Sequence, residues 1–381
     1  MARAAARRRR YQEAGAALSR IAVIPGDGIG VEVTREAVVA LHAAASVTGR
    51  AIAFEEFPYG AEHFLKTKET LPGGALETLR AFDAILLGAL GDPRVPDNRH
   101  AADILFGLRF GLDLYVNYRP IRLLDDRLCP LKGRTARDID FVIFRENTEG
   151  LYVGVGGFFK KGSADEIAVQ EDINTRKGVE RICRHAFEHA RRLGRRKVLM
   201  ADKSNALTFG HDLWQRTFWE VSREYAGIEA SHMYVDALAM QMVRDPAQFE
   251  VVVTCNMFGD ILTDLGAALQ GGLGMAASAN LHPGRTGLFE PVHGSAPKHA
   301  GRNVANPMGA ILSAALLLEQ IGRAEEAGLV ERAVVGCLRD GRTTRDLGGP
   351  LGTLEVGREV GRRILAGEPG ARGADSPGGR P

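Results

Sequence analysis

Three aspartates have the residue type and the spacing of a cation site. Asp260 and Asp264 lie four residues apart in CNMFGDILTDL, so a helix beginning there places both carboxylates on one face. Two like charges at this spacing destabilise a helix by about 0.2–0.5 kcal/mol, so we expect a positive group beside them. Asp236, in YVDALAM, supplies a third acid. Three carboxylates suit Mg²⁺ or Mn²⁺, and the alternative is a solvated pair of surface acids.

Three arginines lie beside apolar or aromatic residues rather than in a run of charges. They are Arg109 in FGLRFGLDLYVNYRP, Arg119 in the same segment, and Arg145 in FRENTEGLY. A planar guanidinium binds a carboxylate through two parallel hydrogen bonds. The series therefore predicts a clamp for a substrate with at least two carboxylates, although one such arginine alone is usually a structural ion-pair partner.

Tyr152 and Lys203 are candidates for proton transfer. Tyr152 lies in RENTEGLYVG and Lys203 in ADKSNAL. Burial and a nearby cation can bring the pKa of either group towards neutrality. A single tyrosine or lysine in an α/β domain is usually structural, so this assignment depends on the neighbouring residues.

Two glycine-containing loops are candidates for ligand contact. IPGDGIG has glycines at 26, 28 and 30 and an acid, Asp27, inside the turn, so it lacks the GxGxxG spacing of a Rossmann domain. We interpret it as a strand-to-helix loop beside a ligand. In FEPVHGSAPKHAGRNVANP, the backbone amides of small residues can approach a phosphate, and Lys298 follows them.

Apolar runs of strand length alternate with amphipathic segments along the chain. This alternation predicts α/β layers with a largely parallel sheet. The predicted strands begin at Ile21, Ala84, Phe141, Lys197 and Val251, and the predicted helices span 31–45, 177–193, 211–225 and 307–321.

Composition excludes several classes of protein. The 381 residues exceed one ordinary core, which favours two domains. A net charge of +2 with dispersed Lys and Arg disfavours nucleic acid as a partner, and the longest apolar segment is too short to span a membrane. Four distant cysteines without a CxxC motif indicate free thiols in a reducing cytoplasm.

Between Ile21 and Leu365 the chain resembles the β-decarboxylating dehydrogenases, which include 3-isopropylmalate, isocitrate, homoisocitrate and tartrate dehydrogenases. The resemblance is carried, in order, by IPGDGIG, RENTEGLY, DKSNAL, YVDALAM, NMFGDILTDL and EPVHGSAPKHAGRNVANP. It is strongest to members like 3-isopropylmalate and tartrate dehydrogenase. It implies a two-domain α/β fold with a large mixed, mostly parallel sheet that is not a Rossmann domain. It also implies an NAD(P)-dependent enzyme whose 2-hydroxy acid substrate loses hydride from C2 and then CO₂.

The resemblance gives each candidate residue a role. Lys203 would take the hydroxyl proton as base, and Tyr152 would protonate the enol carbon. The implied catalytic residues are Tyr152, Lys203 and Asp236, and the implied metal ligands are Asp236, Asp260 and Asp264. The implied substrate-binding residues are Leu105, Arg109, Arg119, Arg145, Tyr152, Lys203 and Asp236.

The resemblance also implies a cofactor site and a partner. The family builds its site at a dimer interface, with the equivalents of Lys203 and Asp236 from the neighbouring subunit, so a homodimer is implied. The implied dinucleotide-binding residues are Ile24, Glu290, His293, Gly294, Ser295, Ala296, Pro297, Lys298, His299, Asn306 and Asp346.

Substrate selection in this family depends on the segment before the first clamp arginine, here HAADILFGLR. Isocitrate enzymes place Ser and Asn six and four residues before that arginine, where this chain has Asp103 and Leu105. Leu105 and Phe106 favour an apolar substituent such as isopropyl, since each buried methylene contributes about 0.8 kcal/mol. Isopropylmalate enzymes often carry Glu where Ala102 stands, and ENTEG is commoner in isocitrate and tartrate enzymes. Isocitrate, homoisocitrate, tartrate, D-malate and specialised alkylmalates therefore stay open, whereas a non-catalytic regulatory subunit is disfavoured because the catalytic residues are present.

Cofactor selection also departs from the commonest pattern. NAD-linked members place Asp after HGSAP, and NADP-linked isocitrate enzymes place Lys-Tyr there; this chain has Lys298 and His299. A cation favours the 2′-phosphate. We therefore expect NADP⁺, with NAD⁺ as the alternative.

The domain division follows from the same resemblance. We expect a cofactor-binding domain of residues 20–119 and 271–366, and a dimerisation, substrate and metal domain of residues 120–270. The Arg-rich segment 1–19 and the Gly- and Pro-rich segment 367–381 are predicted to be disordered, with a transit peptide as the alternative for the first.

Overall fold

The computed structural model describes residues 18–367, which divide into two compact units. Unit 1 contains residues 18–112 and 271–367, and unit 2 contains residues 113–270. The first separation, at 112–113, lies earlier than the predicted 119–120. The predicted tails lie outside the described residues, except for Leu18, Ser19 and Gly367, and Ser19 already belongs to the first strand.

The first part of unit 1 alternates strands and helices as the apolar runs predicted. The long first helix ends at a glycine in the left-handed region, Gly49 (φ 70°), which favours a residue without a side chain. The elements are β1 (Ser19–Gly26), α1 (Ile29–Thr48), β2 (Ile52–Glu56), α2 (Ala61–Thr67), α3 (Ala75–Arg80), β3 (Ala84–Ala89) and α4 (Arg99–Gly111).

Unit 2 continues this alternation around a second set of strands. The elements are β4 (Val116–Arg122), β5 (Asp140–Glu146), β6 (Gly156–Phe159), β7 (Ile167–Gln170), α5 (Arg176–Arg192), β8 (Lys197–Asp202), α6 (Gly210–Ser222), β9 (Glu229–Tyr234), α7 (Val235–Arg244), β10 (Val251–Thr254) and α8 (Asn256–Leu269).

The chain then returns to unit 1, where α9 is buried along most of its length because nearly every side chain is apolar. The elements are β11 (Ala277–Leu281), β12 (Gly287–Pro291), α9 (Met308–Gln320), α10 (Ala324–Arg339) and α11 (Thr353–Ala366).

The strands of each unit are mostly parallel. In unit 1 the order is β2-β1-β3-β12-β11, with only β11 and β12 antiparallel among these pairs. In unit 2 the order is β4-β5-β10-β8-β9, in which only β4 and β5 are antiparallel, and β6 and β7 form a separate antiparallel pair. The mixed, mostly parallel α/β fold predicted from the sequence is therefore confirmed. All five predicted strands and all four predicted helices are present, with small differences at their ends.

The central strands of unit 2 end in one row. Arg145 of β5 lies opposite Thr254 of β10, which lies opposite Ala201 of β8. Strand β10 is fully buried, as its unbroken Val-Val-Val-Thr run predicts for a strand covered on both faces. The carboxyl ends of parallel strands are where open α/β sheets bind ligands, so this row positions the candidate residues that follow.

All four cysteines are free thiols, as the sequence predicted. Within residues 18–367, no helix has the length and apolar character needed to cross a membrane.

Candidate active site

Helix α8 presents Asp260 to two buried arginines. The sequence enters α8 directly from β10, and Asp260 and Asp264 fall one turn apart in it, as predicted. Arg145 of β5 is almost completely buried and forms an ion pair with Asp260. Its Nε and Nη2 also donate to Asn256 Oδ1 at 2.9 and 2.7 Å. The positive group expected beside the aspartates is thus supplied, in this chain, by arginine.

The close approach of Arg145 to α8 requires a glycine. A Cβ at Gly259 would lie 2.5 Å from the side chain of Arg145, so any larger residue there would displace the guanidinium. Arg119 of β4 approaches from the other side and donates to Thr263 Oγ1 at 2.6 Å, with Asp260 at 3.7 Å. Both arginines, which belong to β4 and β5, are therefore held by hydrogen bonds and ion pairs to residues of α8.

Tyr152 completes this group. Its hydroxyl donates to Asp260 Oδ2 at 2.8 Å, and the Arg145 guanidinium lies 5.1 Å from the centre of its ring. We call Arg119, Arg145, Tyr152, Asn256 and Asp260 the Asp260 cluster. Two guanidinium groups and a hydroxyl thus converge on one carboxylate, a set of donors suited to carboxylate oxygens.

Asp264, unlike Asp260, accepts no hydrogen bond from the part of the chain that the structure describes. Burial raises the pKa of its carboxyl, Arg119 lowers it, and the charge of Asp260 raises it further. Carboxylate oxygens on one helical face fit a hard divalent cation. However, residues 18–367 contain no group of three His, Cys, Asp or Glu side chains arranged to hold a metal, so Asp236 does not join Asp260 and Asp264 within one chain.

Lys203 and Asp236 form a separate pair. Lys203 follows β8, Asp236 lies in the first turn of α7, and Lys203 Nζ donates to Asp236 Oδ1 at 2.6 Å. This hydrogen bond lowers the pKa of the Asp236 carboxyl. Both side chains remain partly accessible, at 29% and 67% of their full exposure. We call these two residues the Lys203 pair, and it faces solvent rather than the interior of unit 2.

Buried polar groups hold the backbone around Lys203. The Lys203 N–H donates to Nδ1 of the fully buried His211 at 3.0 Å. Burial lowers the pKa of His211, which favours the neutral ring that can accept this bond. On the other side, the buried Asp202 lies 2.8 Å from His232 Nε2 and accepts the Ser204 N–H at 3.1 Å. The lysine therefore extends from a rigid segment.

In unit 1, Arg109 is tied to a residue predicted to bind the dinucleotide. Arg109, near the end of α4, donates to Glu290 Oε1 at 3.0 Å, and Asn280 Nδ2 donates to the same oxygen at 2.8 Å. All three side chains are buried. Leu105 lies one helical turn before Arg109 and is half-buried.

The predicted dinucleotide loop packs against the first glycine turn. The Ile29 N–H donates to the Ser295 carbonyl at 2.8 Å, and a Cβ at Gly28 would lie 2.1 Å from that oxygen. Beyond Gly294 and Ala296, the chain forms one 3₁₀ turn, Pro297–His299, whose Lys298 and His299 are exposed. Burial lowers the pKa of His293, whose Nδ1 lies 3.0 Å from the Gly294 carbonyl.

The remaining predicted cofactor residues fall in two places. Asn306 Nδ2 donates to Asp346 Oδ2 at 3.0 Å, so these two lie together. Ile24 lies in β1 with no exposed surface. The structure thus groups the candidates into the Asp260 cluster, the Lys203 pair, Arg109 with Glu290, and Asn306 with Asp346.

Several supporting residues did not emerge from the sequence. Asn256 and Thr263 hold the arginines, and Asn280 holds Glu290. A signal for Asn256 was present, because it precedes Asp260 by four residues, as Asp260 precedes Asp264. His211 carries no local motif that would distinguish it from any buried histidine.

Comparison with known proteins places this geometry in a family. Residues 20–360 match the family described as isocitrate/isopropylmalate dehydrogenase. The chain is 45% identical over 347 residues to a 3-isopropylmalate dehydrogenase of Thermobifida fusca, covering 91% of this chain and 97% of that one. It is 49% identical over 323 residues to that of Frankia casuarinae, covering 84% and 93%.

A solved structure gives the same result. The isocitrate dehydrogenase of Methylococcus capsulatus superposes with a TM-score of 0.83 at 37% identity, covering 91% of this chain and 99% of that one. The matches extend over nearly the full length of these relatives. The chain therefore belongs to the isocitrate/isopropylmalate dehydrogenase family and is a decarboxylating dehydrogenase.

Proposed function

We propose that this enzyme oxidises and decarboxylates a malate with a small apolar substituent at C3, with 3-isopropylmalate as its substrate. The observation that carries the proposal is the face of α4 next to Arg109. Leu105 and Phe106 lie there half-buried, and Phe106 stacks on Phe110 with ring centres 5.7 Å apart. An apolar surface one turn from a carboxylate-binding arginine suits an alkyl substituent better than a third carboxylate. The reaction would be the dehydrogenation step of leucine biosynthesis.

The arginines would hold the two carboxylates of the malate. Arg119 and Arg145 already bind carboxylate and amide oxygens on α8, so a substrate carboxylate can take part of this hydrogen bonding without a change in the fold. Arg109 keeps its contact with Glu290 at the other end of α4. The arginines would thus bind the substrate carboxylates by charge, and Leu105 would bind the C3 substituent by apolar contact.

Lys203 and Tyr152 would move the two protons of the reaction. Lys203 would accept the proton of the C2 hydroxyl, and its contact with Asp236 would hold Nζ in position while it does so. Tyr152 would donate a proton to the enol carbon after CO₂ has left. The Tyr152 hydroxyl donates to Asp260 Oδ2 at 2.8 Å, which holds the phenol in position, and the phenolate left after the transfer would regain its proton from solvent.

Asp236, Asp260 and Asp264 would hold Mg²⁺ or Mn²⁺. When bound, the cation stabilises negative charge on the substrate oxygen during decarboxylation. The dinucleotide would lie along Glu290, the loop 293–299, Asn306 and Asp346, and it accepts the hydride. Exposed Lys298 and His299 favour NADP⁺ over NAD⁺.

A homodimer would complete the site. Unit 2 exposes large apolar side chains on the two-stranded β6–β7 ribbon, all of whose residues are exposed. Phe158 and Phe159 each retain 61% of their exposed surface, and Ile261 of α8 does as well. A ribbon of two strands is marginally stable alone, and exposed apolar patches mark contact surfaces. A second copy of the chain is therefore the proposed partner, and its Asp236 would join Asp260 and Asp264.

The free thiols of all four cysteines support a cytoplasmic location. The small net charge of +2 supports a function that does not involve nucleic acid.

A substrate panel tests the proposal. NADH and NADPH formation should be measured with 3-isopropylmalate, isocitrate, homoisocitrate, tartrate and D-malate, with Mg²⁺ or Mn²⁺ present and after complete chelation. We expect the highest kcat/KM with 3-isopropylmalate and no turnover after chelation. Fast turnover of isocitrate without turnover of 3-isopropylmalate would overturn the substrate assignment. Light scattering on the same preparation measures the oligomer, and a monomer with full activity would overturn the shared site.

A further inference from the structure

Helix α4 begins without the usual N-terminal anchor. The two residues before it, Asp97 and Asn98, have φ values of 55° and 48°, and the Asn98 side chain makes no capping bond to the helix. Asn98 Oδ1 instead accepts the Asp92 N–H at 3.0 Å. A helix whose first turn lacks a cap has unsatisfied N–H groups and frays readily. Some other contact must hold this end of α4.

That contact is a bond between His100 and Asp27. His100, in the first turn of α4, is completely buried, and its Nε2 lies 2.8 Å from Asp27 Oδ2. The ring also stacks on Phe64, with centres 6.0 Å apart. His100 Nδ1 has no hydrogen-bond partner within residues 18–367. The bond to Asp27 is therefore the only polar contact of the ring in the described part of the chain.

Asp27 is the acid that made the glycine turn unusual in the sequence. Its Oδ1 accepts the Ala61 N–H at 2.6 Å, and its Oδ2 accepts the Gly91 N–H at 2.8 Å as well as the bond from His100. The same turn contacts the predicted dinucleotide loop through Ile29 and Ser295. The acid thus does not face a phosphate; it joins α4 to the turn that supports the dinucleotide loop.

The bond fixes the rotation of α4. His100, Ile104 and Leu108 form its buried stripe, and each is fully buried. Leu105 directly follows Ile104, and Arg109 directly follows Leu108. The directions of the Leu105 and Arg109 side chains are therefore set by how the buried stripe packs. Arg109 is held by Glu290 near the carboxyl end. Without the bond at His100, the amino-terminal half can turn, and about 10° of turn moves a side-chain tip by about 1 Å.

We propose that His100 is a positioning residue that sets the preference for the C3 substituent by fixing the rotation of α4 against Asp27. The proposal rests on the proposed function, because it takes Leu105 to face that substituent. His100 has no exposed surface, so it acts in this proposal through the helix rather than by contact with a ligand. Its effect is carried by Leu105, because Arg109 lies further from His100 along α4 and is held separately by its hydrogen bond to Glu290.

Two amide substitutions separate the bond from the bulk of the ring. In His100→Gln the side-chain NH₂ reaches the position of Nε2 and can still donate to Asp27. In His100→Asn the same group is too short to do so. His100→Leu removes the polar atoms altogether, while Asp27 keeps its hydrogen bonds from Ala61 and Gly91, and thermal unfolding of the variant checks that it is folded. Phe64→Leu serves as the matched control, because it loosens the packing around His100 without removing the bond.

The test compares kcat and KM for 3-isopropylmalate, 3-ethylmalate and 3-methylmalate at saturating dinucleotide and metal. In His100→Asn and His100→Leu, we expect the preference for isopropyl over methyl to fall by about tenfold, mainly through KM. His100→Gln should stay within about twofold of the wild type, and Phe64→Leu should lose thermal stability but keep the preference. An unchanged preference in His100→Leu, or an equal loss in Phe64→Leu, would overturn the proposal.

Amide hydrogen exchange gives a readout that does not depend on turnover. Exchange at residues 99–105 should accelerate in His100→Asn and His100→Leu but not in His100→Gln. If the wild type turns over none of the three malates, the proposed function fails, and the exchange result alone then decides whether His100 positions α4. Equal exchange in His100→Gln and His100→Leu would show that it does not.

Discussion

The Asp260 cluster and the loop 293–299 hold their charges in opposite ways. In the cluster, Arg145 keeps only 2% of its side-chain exposure and is bound to Asp260 and Asn256. In the loop, Lys298 is exposed, and its ammonium has no ion-pair partner within residues 18–367. In the cluster the chain supplies hydrogen-bonding and ion-pair partners to both arginines, although two guanidinium groups share one carboxylate, whereas the loop leaves its charge in water.

This difference follows from the cost of burying a charge. A buried ion without its partner costs several kcal/mol, so the chain must supply every partner in the cluster. An exposed cation costs almost nothing to leave unpaired and stays available to a ligand. The Lys203 pair lies between these cases, because its members bind each other yet remain accessible. Substitutions in the Asp260 cluster should therefore abolish activity, whereas substitutions in the loop should change the cofactor preference.

The largest effect is expected from Asp260→Asn. It removes a proposed metal ligand and leaves buried Arg145 without its carboxylate. Activity should fall by about 10²–10³-fold. The free energy of unfolding should fall by about 2 kcal/mol, less than for a fully buried pair because Asp260 retains 42% exposure. Steady-state kinetics and urea unfolding measure the two losses.

Asp212→Asn is the matched control for this variant. Asp212 pairs with Arg216 at 2.8 Å, but both side chains are more than half exposed. Its loss should cost less than about 0.5 kcal/mol and leave activity unchanged. Equal losses in the two variants would contradict the distinction between buried and exposed charge.

A complementation experiment tests whether the Lys203 pair serves a neighbouring subunit. Lys203→Met and Asp260→Asn should each be inactive as homodimers. After unfolding and refolding together, mixed dimers would contain one intact site, so about a quarter of wild-type activity should return. No recovery, with mixed dimers shown to form by mass spectrometry, would place Lys203 and Asp260 in the same subunit's site.

Much of the fold could be predicted from local patterns. The unbroken apolar run of β10 and the Asp260–Asp264 spacing each specify an element by their own periodicity. The boundary between the two units was less predictable. Its position at Leu112–Asp113 depends on contacts between segments far apart in the chain. Pairing of β4 with β5 in opposite directions likewise has no local signature.

The site was predictable where a residue type implies its chemistry. The aspartates were singled out by residue type and spacing, whereas the roles of Tyr152 and Lys203 follow from the family resemblance and stay predictions; the structure brings Tyr152 and Asp260 together. The bond between His100 and Asp27 was not predictable, because it joins positions separated by 73 residues. Asp27 appeared only as an exception to a motif. Its partner is visible only once α4 is folded against the turn.

Glu146 is a buried carboxyl of unit 2, and its titration should affect the stability of the fold. Burial is the main cause that raises the pKa of its carboxyl to about 7, although Thr148 donates a hydrogen bond that lowers it. The folded state therefore holds this proton up to about pH 7, whereas the unfolded state releases it near the ordinary glutamate pKa of 4.5. The free energy of unfolding should fall by up to about 3 kcal/mol as pH rises between these values, and level off above pH 7.

Glu146→Gln should lack this decline, since the amide does not titrate. Urea unfolding of both proteins between pH 4.5 and 8 measures it. Glu171→Gln, which changes an exposed glutamate of the same unit, should keep the wild-type slope. Parallel curves for Glu146→Gln and wild type would show that Glu146 is ionised throughout this range in the folded protein.

The smallest effect is expected from Lys298→Asp in the loop. The exposed ammonium should attract a 2′-phosphate, whereas a carboxylate there accepts a hydrogen bond from the ribose 2′-hydroxyl and repels the phosphate. The ratio of kcat/KM for NADP⁺ over NAD⁺ should fall by about tenfold, or about 1.4 kcal/mol. The fold should be unaffected, because Lys298 is exposed and, among residues 18–367, its side chain forms no ion pair or hydrogen bond; Arg302 donates only to its carbonyl oxygen, at 3.3 Å.

Lys66→Asp makes the same charge change on an exposed lysine of α2. It should leave the cofactor ratio unchanged, whereas a general effect of net charge would shift both variants equally. Raising the ionic strength gives a second check, since an exposed electrostatic preference weakens with salt. A wild-type preference for NADP⁺ that persists at 1 M salt would mean that the bound phosphate and Lys298 are shielded from water. The Lys298 charge would then be buried and paired, like the arginines of the Asp260 cluster.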